Sequence, residues 1–228
     1  MKTIIQYFTT WWIPIISYLL PFAFFSLGMY LQRDFVIDIS LWAFFINFLG
    51  NIVSSIVLII NKKWFLIFPQ IIISLYIAYY VLLIFGLSPP DFYGTHKIIP
   101  KNIEIYKPLD KKITEKDFNS TNFILATIIQ PGIYEYYILF KPKELGYIYV
   151  KVYEITSNDR LSATRIKKSS MLVIKNLNKE IYSGNFTIYE GDWGDKYGAR
   201  IEVWFSPNNK NPDYKIFEKN YIVEGWMR

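Results

Sequence analysis

Six residues, Glu190-Gly191-Asp192-Trp193-Gly194-Asp195, place three carboxylates on a glycine-rich stretch. Carboxylate and carbonyl oxygens at such density are what Ca²⁺ takes as ligands. The spacing is not that of a known calcium loop, and the same residues suit a hairpin whose Gly and Asp meet tight-turn geometry. Both readings stand at the level of sequence, and no cofactor is expected. Asp192, Trp193 and Asp195 are also candidates for contact with a partner, since Trp193 would project from the loop tip.

Other chemistry is sparse. There are no cysteines, which removes thiolate nucleophiles, thiolate metal sites and disulfides. The single histidine, His96, follows a Pro-Pro pair in a loop-like stretch, a poor place for a rigid catalytic group. No phosphate-binding loop, nucleophile elbow, zinc-protease helix or dinucleotide fingerprint occurs. The expectation is a non-enzymatic protein. The excess of 25 Lys and Arg over 19 Asp and Glu is mild and mixed, so nucleic acid is not an expected partner. Arg160, Arg165, Lys167 and Lys168 form the one basic cluster, read as a solvated helix face.

Tyrosine is the notable surplus. In Tyr147-Ile-Tyr149-Val-Lys-Val-Tyr153 the rings share one parity and the aliphatics the other. Tyr147, Tyr149 and Tyr153 are therefore either cross-strand packing or a partner-binding row, since Tyr is enriched at interfaces.

The elements that must carry these residues fall into two chemistries. From Trp11 to Leu87 the only charges are Arg33, Asp34, Asp38, Lys62 and Lys63, and they cut the stretch into apolar runs at about 13–31, 39–60 and 64–87. Each is about 20 residues or longer, enough to cross a hydrocarbon core of about 30 Å. This implies three transmembrane helices within residues 1–88, with Trp11, Trp12, Tyr30 and Trp64 near the ends of runs where amphipathic rings favour the interface. The first run lacks a cleavage pattern and reads as a retained anchor. Within the second, Asn47, Asn51, Ser54 and Ser55 share one helical face. That face is either helix–helix glue, within the bundle or between protomers, or a pore-lining stripe. No ionisable residue lies mid-span, which argues against a proton-coupled transporter.

Residues 89–120 read as a linker, a stalk or a long edge of the C-terminal domain, with one short strand at 103–106. From 121 to 228 the period becomes two, with strands expected at 123–129, 133–140, 146–156, 171–175, 181–190, 199–205 and 215–223. Turn residues separate them, and one helix is expected over 157–169. The fold class is a membrane α bundle followed by a C-terminal antiparallel β-sandwich or small barrel.

Lys2, Lys62 and Lys63 lie on one side of three spans and Arg33 on the other. Positive charge favours the cytoplasm, so the expectation is a multi-pass inner-membrane protein of bacterial type with its β domain outside the cytoplasm. The expected partners are the lipid bilayer, a protein ligand and a second copy of the chain. The expected role is binding, of an immunity, accessory or envelope-assembly kind. The alternative is a membrane effector whose cytoplasmic β domain senses a small ligand and whose helices open the membrane.

Overall fold

The computed structural model describes residues 2–87, 89–111, 113–209 and 211–226. The chain divides into two compact units, Met1–Pro90 and Asp91–Met227.

The first unit is a helical bundle: α1 (Lys2–Thr9), α2 (Ile13–Ile16), α3 (Leu19–Leu31), α4 (Asp34–Ile60) and α5 (Ile67–Leu87). Three stretches, Ile13–Leu31, Asp34–Ile60 and Trp64–Leu87, are long and apolar enough to cross a membrane, and the chain is a membrane protein on that ground. The second span begins earlier than the apolar run at 39, because Asp34 and Asp38 are accommodated in the first turns of α4. A negative charge there meets the positive end of the helix dipole.

The first span is two helices rather than one, and proline is the reason. Pro21 has no N–H to give to Ser17, so the chain tightens and Leu20 N bonds the Ser17 carbonyl at 3.2 Å instead. Tyr18 N turns to the Ile15 carbonyl at 3.2 Å, which leaves the Pro14 carbonyl without its helical donor. In lipid a free carbonyl is costly, so another helix must supply the partner. The donors come from α4: Asn47 Nδ2 at 3.3 Å and Asn51 Nδ2 at 3.4 Å.

The rest of the polar face of α4 is bonded in the same way. Asn47 Oδ1 accepts from Tyr7 and Ser17, each at 2.6 Å. Ser54 Oγ donates to the Phe8 carbonyl, and Gln70 Nε2 donates to Asn51 Oδ1 at 3.2 Å. Ser55 bonds back to the Asn51 carbonyl within α4. Gly50 lets α1 approach, since a methyl there would sit 2.7 Å from the Tyr7 hydroxyl. Asn47, Asn51 and Ser54 are buried inside the protomer, where α1, α2 and α5 converge on α4. The short helix α1 is a bundle member that the sequence pattern does not announce.

The second unit holds two antiparallel sheets. One has the order β1 (Phe123–Thr127), β2 (Ile133–Phe140), β5 (Glu180–Thr187). The other has β4 (Leu172–Ile174), β3 (Gly146–Glu154), β6 (Tyr197–Pro207), β7 (Tyr214–Val223). Alternation puts Leu125, Tyr136, Ile138 and Phe186 from one sheet against Ile148, Val150, Val152, Ile201, Val203 and Phe205 from the other, all buried.

Residues 91–121 belong to this unit as an edge of it. Tyr106 N donates to the Asn220 carbonyl of β7 at 3.0 Å, and Ile222 N to the Tyr106 carbonyl at 2.8 Å. Three residues on, Leu109 N donates to the Leu125 carbonyl of β1 at 2.8 Å, and Thr127 N returns to Leu109 at 2.9 Å. The connector thus spans from β7 to β1, the edge strands of the two sheets, and covers backbone that would otherwise be open to pairing. No strand forms at 103–106 as expected; within it only Tyr106 pairs, as an isolated bridge to Tyr221, and the second bridge is at Leu109.

On the opposite side α6 (Ala163–Ser169) spans the two sheets, packing on β3 of one and on the edge strand β5 of the other. α6 is shorter than the helix expected over 157–169, because 159–161 instead pair with the free edge of β3. Glu154 N bonds the Asp159 carbonyl, and Leu161 N the Val152 carbonyl. Ser170 then ties the sheets together: its hydroxyl accepts from Val150 N at 2.9 Å, and its carbonyl accepts from Tyr136 at 2.6 Å.

Candidate partner-binding face

The outer face of the four-stranded sheet gathers the side chains best suited to contact. Ile148, Val150 and Val152 point inward, so Tyr147, Tyr149, Lys151 and Tyr153 point out. The register sets Tyr147 opposite Ser206, Tyr149 opposite Trp204, Lys151 opposite Glu202 and Tyr153 opposite Arg200. Beyond β6, Trp204 faces Lys215 and Glu202 faces Glu218.

The tyrosines share parity but not environment. Tyr147 is 38% exposed and Tyr149 only 1%. The Tyr149 hydroxyl donates to Asp213 Oδ2 at 2.7 Å, and Asp213 Oδ1 accepts from Ser206 at 2.6 Å. Burial first, and the neighbouring Asp213 carboxylate second, push the Tyr149 phenol above its ordinary range. The Ser206 and Tyr149 hydrogen bonds hold the Asp213 carboxyl below its own. Tyr149 is therefore a floor, covered by neighbours. Tyr153 is half-buried beneath the Arg200 guanidinium, 5.0 Å from the ring centre.

Cations lie on these rings. Lys151 Nζ is 3.4 Å from the Trp204 ring centre and 5.7 Å from that of Tyr149, and Lys167 Nζ, from α6, is 4.5 Å from Tyr149. Glu202 faces Lys151 across the ladder but is taken by other donors: Trp204 Nε1 at 2.8 Å, Arg200 Nε at 3.2 Å and Lys215 Nζ at 3.5 Å. Among the described residues, the ion pairs engage neither Lys151, Arg160 nor Lys167. Burial, and then the Arg160 charge, lower the Lys151 pKa. The face thus presents Lys151 and Lys167 over a buried aromatic floor, with the Arg160 charge near them and the Asp213 and Glu202 carboxylates as their nearby counter-charges.

Lys151, Arg200, Glu202 and Trp204 are contributors that sequence reasoning passed over. The signal was present, since they share parity with the tyrosines or alternate with Ile201, Val203 and Phe205. Asp213 had no such signal.

The acidic loop is placed differently. Asp192 Oδ2 accepts from Asp91 N at 3.2 Å, and Asp195 Oδ2 accepts from Thr95 Oγ1 at 2.6 Å. Glu190 takes both the N–H and the hydroxyl of Ser162 at 2.7 Å, and Gly194 N donates to Glu224 Oε2 at 2.8 Å. The three carboxylates are spent on two different segments of the chain. Among the described residues no group of three or more His, Cys, Asp and Glu is arranged to hold a metal ion. Gly191 and Gly194 occupy the left-handed region that tight turns favour, at φ 85° and 91°, but the loop is not the expected hairpin: it carries the chain from β5 in one sheet to β6 in the other. Trp193 is 42% exposed at the tip. Trp226 packs edge-on against Tyr189, while Met227 and Arg228 lie outside the described residues.

Glu154, at the end of β3, is fully buried. Its Oε2 accepts from Ser157 N and Oγ, each at 2.6 Å, its Oε1 from Thr156 N at 2.9 Å, and Lys97 Nζ lies 3.5 Å away. Burial alone would raise its pKa, but the Ser157 and Thr156 hydrogen bonds outweigh it and hold the group at about 2, below its ordinary 4.5. A depressed carboxyl stabilises the fold above its unfolded value, and that stability is lost as pH falls through the folded one. The β signal should therefore become easier to unfold between about pH 4.5 and 2, and Glu154→Gln should flatten that part of the titration. An unchanged curve in the variant would remove Glu154 from the account.

Comparison of the chain with protein-family models, with curated proteins and with solved structures gave no match.

Proposed function

We propose that this chain is a non-catalytic inner-membrane protein that holds its β unit outside the cytoplasm and binds a protein partner there. The outer face of the four-stranded sheet is the contact. The observation that carries this reading is the pair Lys151 and Lys167, in no ion pair among the described residues, over Tyr149 and Trp204, with Arg160 close by. Aromatic and Arg-rich surfaces with desolvated charge are those on which binding energy concentrates. The excess of cations over carboxylates on this face calls for an acidic patch on the partner. An immunity, accessory or envelope-assembly role fits such an anchored binder. The location outside the cytoplasm rests on Lys2, Lys62 and Lys63 against Arg33.

Two measurements test it. A topology reporter fused after Arg228 should report the outside, and a cytoplasmic signal would overturn the location. A photoreactive residue at Tyr147 should capture one discrete protein in intact cells, and the same residue at Ile181, exposed on the other sheet, should not. With that protein in hand, Lys151→Glu with Lys167→Glu should weaken binding at least tenfold, mostly through slower association that salt reproduces. Unchanged affinity would remove the face.

A second reading has its own support. A cleft of 490 Å³ lies between the connector, at Tyr106, Lys107, Leu109 and Lys111, and β1 and β7, at Phe123 and Lys219. That volume suits a small ligand. Its wall is the segment after the last span, so an occupant there would bear on the chain leading to the helices. This is the sensor-effector reading, and it requires the cytoplasmic outcome of the topology reporter.

A further inference from the structure

α5 carries three tyrosines where a bilayer does not favour them. At 1.5 Å per residue, Tyr76, Tyr79 and Tyr80 lie within about 5 Å of the midpoint of the helix. Amphipathic rings favour the interfaces, where the hydroxyl reaches water. These three are also on the outside of the bundle, at 62%, 60% and 44% exposure. The Tyr76 hydroxyl donates to that of Tyr80 at 3.3 Å. Among the described residues that bond is all the three hydroxyls have, so the Tyr80 and Tyr79 protons face hydrocarbon in an isolated chain.

The spacing around them is that of a helix pair. Ile72, Tyr76, Tyr79, Leu83 and Gly86 succeed one another at four, three, four and three residues, the repeat of a coiled-coil seam. Ile72 and Leu83 are exposed with them. Gly86 closes the series, and a methyl built on it would meet nothing within 4 Å. Nothing within the chain asks for glycine there, although glycine in a helix costs about 1 kcal/mol against alanine. Small residues on membrane helices let a neighbouring backbone come close. The opposite face of α5, with Gln70 and Ser74, is buried within the bundle, so this seam lies on the free side.

We propose that Ile72, Tyr76, Tyr79, Leu83 and Gly86 form the seam of a parallel homodimer inside the membrane, with the tyrosine hydroxyls bonding across it. The occupant is a second copy for two reasons. A hydroxyl both donates and accepts, so a face built on hydroxyls is complementary to itself. Every copy inserts in one orientation, so two α5 helices meet parallel about a two-fold axis, the arrangement in which a 3.5-residue repeat closes. The span has no charged residue with which to recognise an ionic partner. This inference stands apart from the β-unit function and from the side on which that unit lies.

The chain contains no cysteine, so single-Cys variants report one position each. The full chain, reconstituted in phosphatidylcholine–phosphatidylglycerol vesicles and oxidised, should give disulfide dimers at 72, 76, 79, 83 and 86. Minima should fall at Ser74, Ile77 and Val81. Tyr76→Phe, Tyr79→Phe and Tyr80→Phe together keep the rings and remove the hydroxyls. Energy transfer between labelled copies should then show a roughly 3- to 10-fold weaker association, the scale of interhelical hydrogen bonds in lipid. A scan without this period, maxima at 74 and 81, absence of dimer in the purified protein, or an unaffected triple variant would each overturn the proposal. Absence of dimer would leave the seam to a different membrane protein.

Discussion

Asn47→Leu combined with Asn51→Leu should destabilise the helix bundle by about 3 kcal/mol, and by as much as about 5, although both changes make α4 more hydrophobic. Asn47 accepts from Tyr7 and Ser17 and donates to the Pro14 carbonyl; Asn51 donates to that same carbonyl and accepts from Gln70. Five bonds that join α4 to other parts of the bundle disappear together. Each averages about 0.6 kcal/mol in a membrane protein and the best reach about 1.7. The Pro14 carbonyl is the sharpest loss, because the break before α3 has already taken its helical donor. Insertion should be unimpaired, which separates this effect from a failure to reach the membrane. Unfolding of the full chain in mixed micelles of rising SDS content measures it. Equal midpoints for the variant and the parent would show that the seam does not hold the protomer together. The same geometry bears on the pore-lining alternative: within a protomer these residues are sealed by α1, α2 and α5, and a conducting path along them would first require that packing to open.

The contrast between spans and seam shows what the sequence makes legible. The three spans were readable because length and apolarity are properties of a run, independent of what packs on it. The break at Ser17–Leu20 was not, since its outcome depends on whether another helix can satisfy the Pro14 carbonyl. α1 was missed because eight residues are too few for a periodic signal. In the β unit, alternation located β2 and β3 to within a residue or two at most ends. It said nothing of the connector, whose two bridging residues, Tyr106 and Leu109, pair with strands more than 100 and about 15 positions away. Parity marked Tyr147, Tyr149 and Tyr153 as one row, yet exposure separates Tyr147 from Tyr149. The cause is Asp213, which no local pattern ties to β3. The glycines of the acidic loop made its tight turns legible, but the hairpin they suggested is a crossing from β5 in one sheet to β6 in the other. Its carboxylates were not legible as ties to 91–95, because those contacts span about 100 residues.

Glu202→Ala should cost the β unit about 3 kcal/mol and disable the outer face at the same time. Glu202 is 6% exposed and is the one carboxylate through which Arg200, Trp204 and Lys215 are joined. Its removal leaves the Trp204 N–H without its acceptor and the Arg200 guanidinium without its anion, while Lys215 keeps Glu218. The charges of Lys151 and Lys167 remain nearby. Hydrogen bonds to charged groups contribute about 1.5–3 kcal/mol, and stripping one partner exposes the full penalty of the others. Glu202→Gln keeps an acceptor for the indole but not the charge, so it should lose about half as much. Arg200→Met in the Glu202→Ala background removes the cation left without its carboxylate. It should restore part of the loss, since the two sites share an interaction and their effects should not add. Denaturation of the full chain in micelles, monitored by the β signal, gives the four corners of that cycle. Additive effects at Glu202 and Arg200 would show that the ion pair is surface decoration. A coupled loss would establish that this buried carboxylate and Arg200 stabilise the outer face of the sheet together.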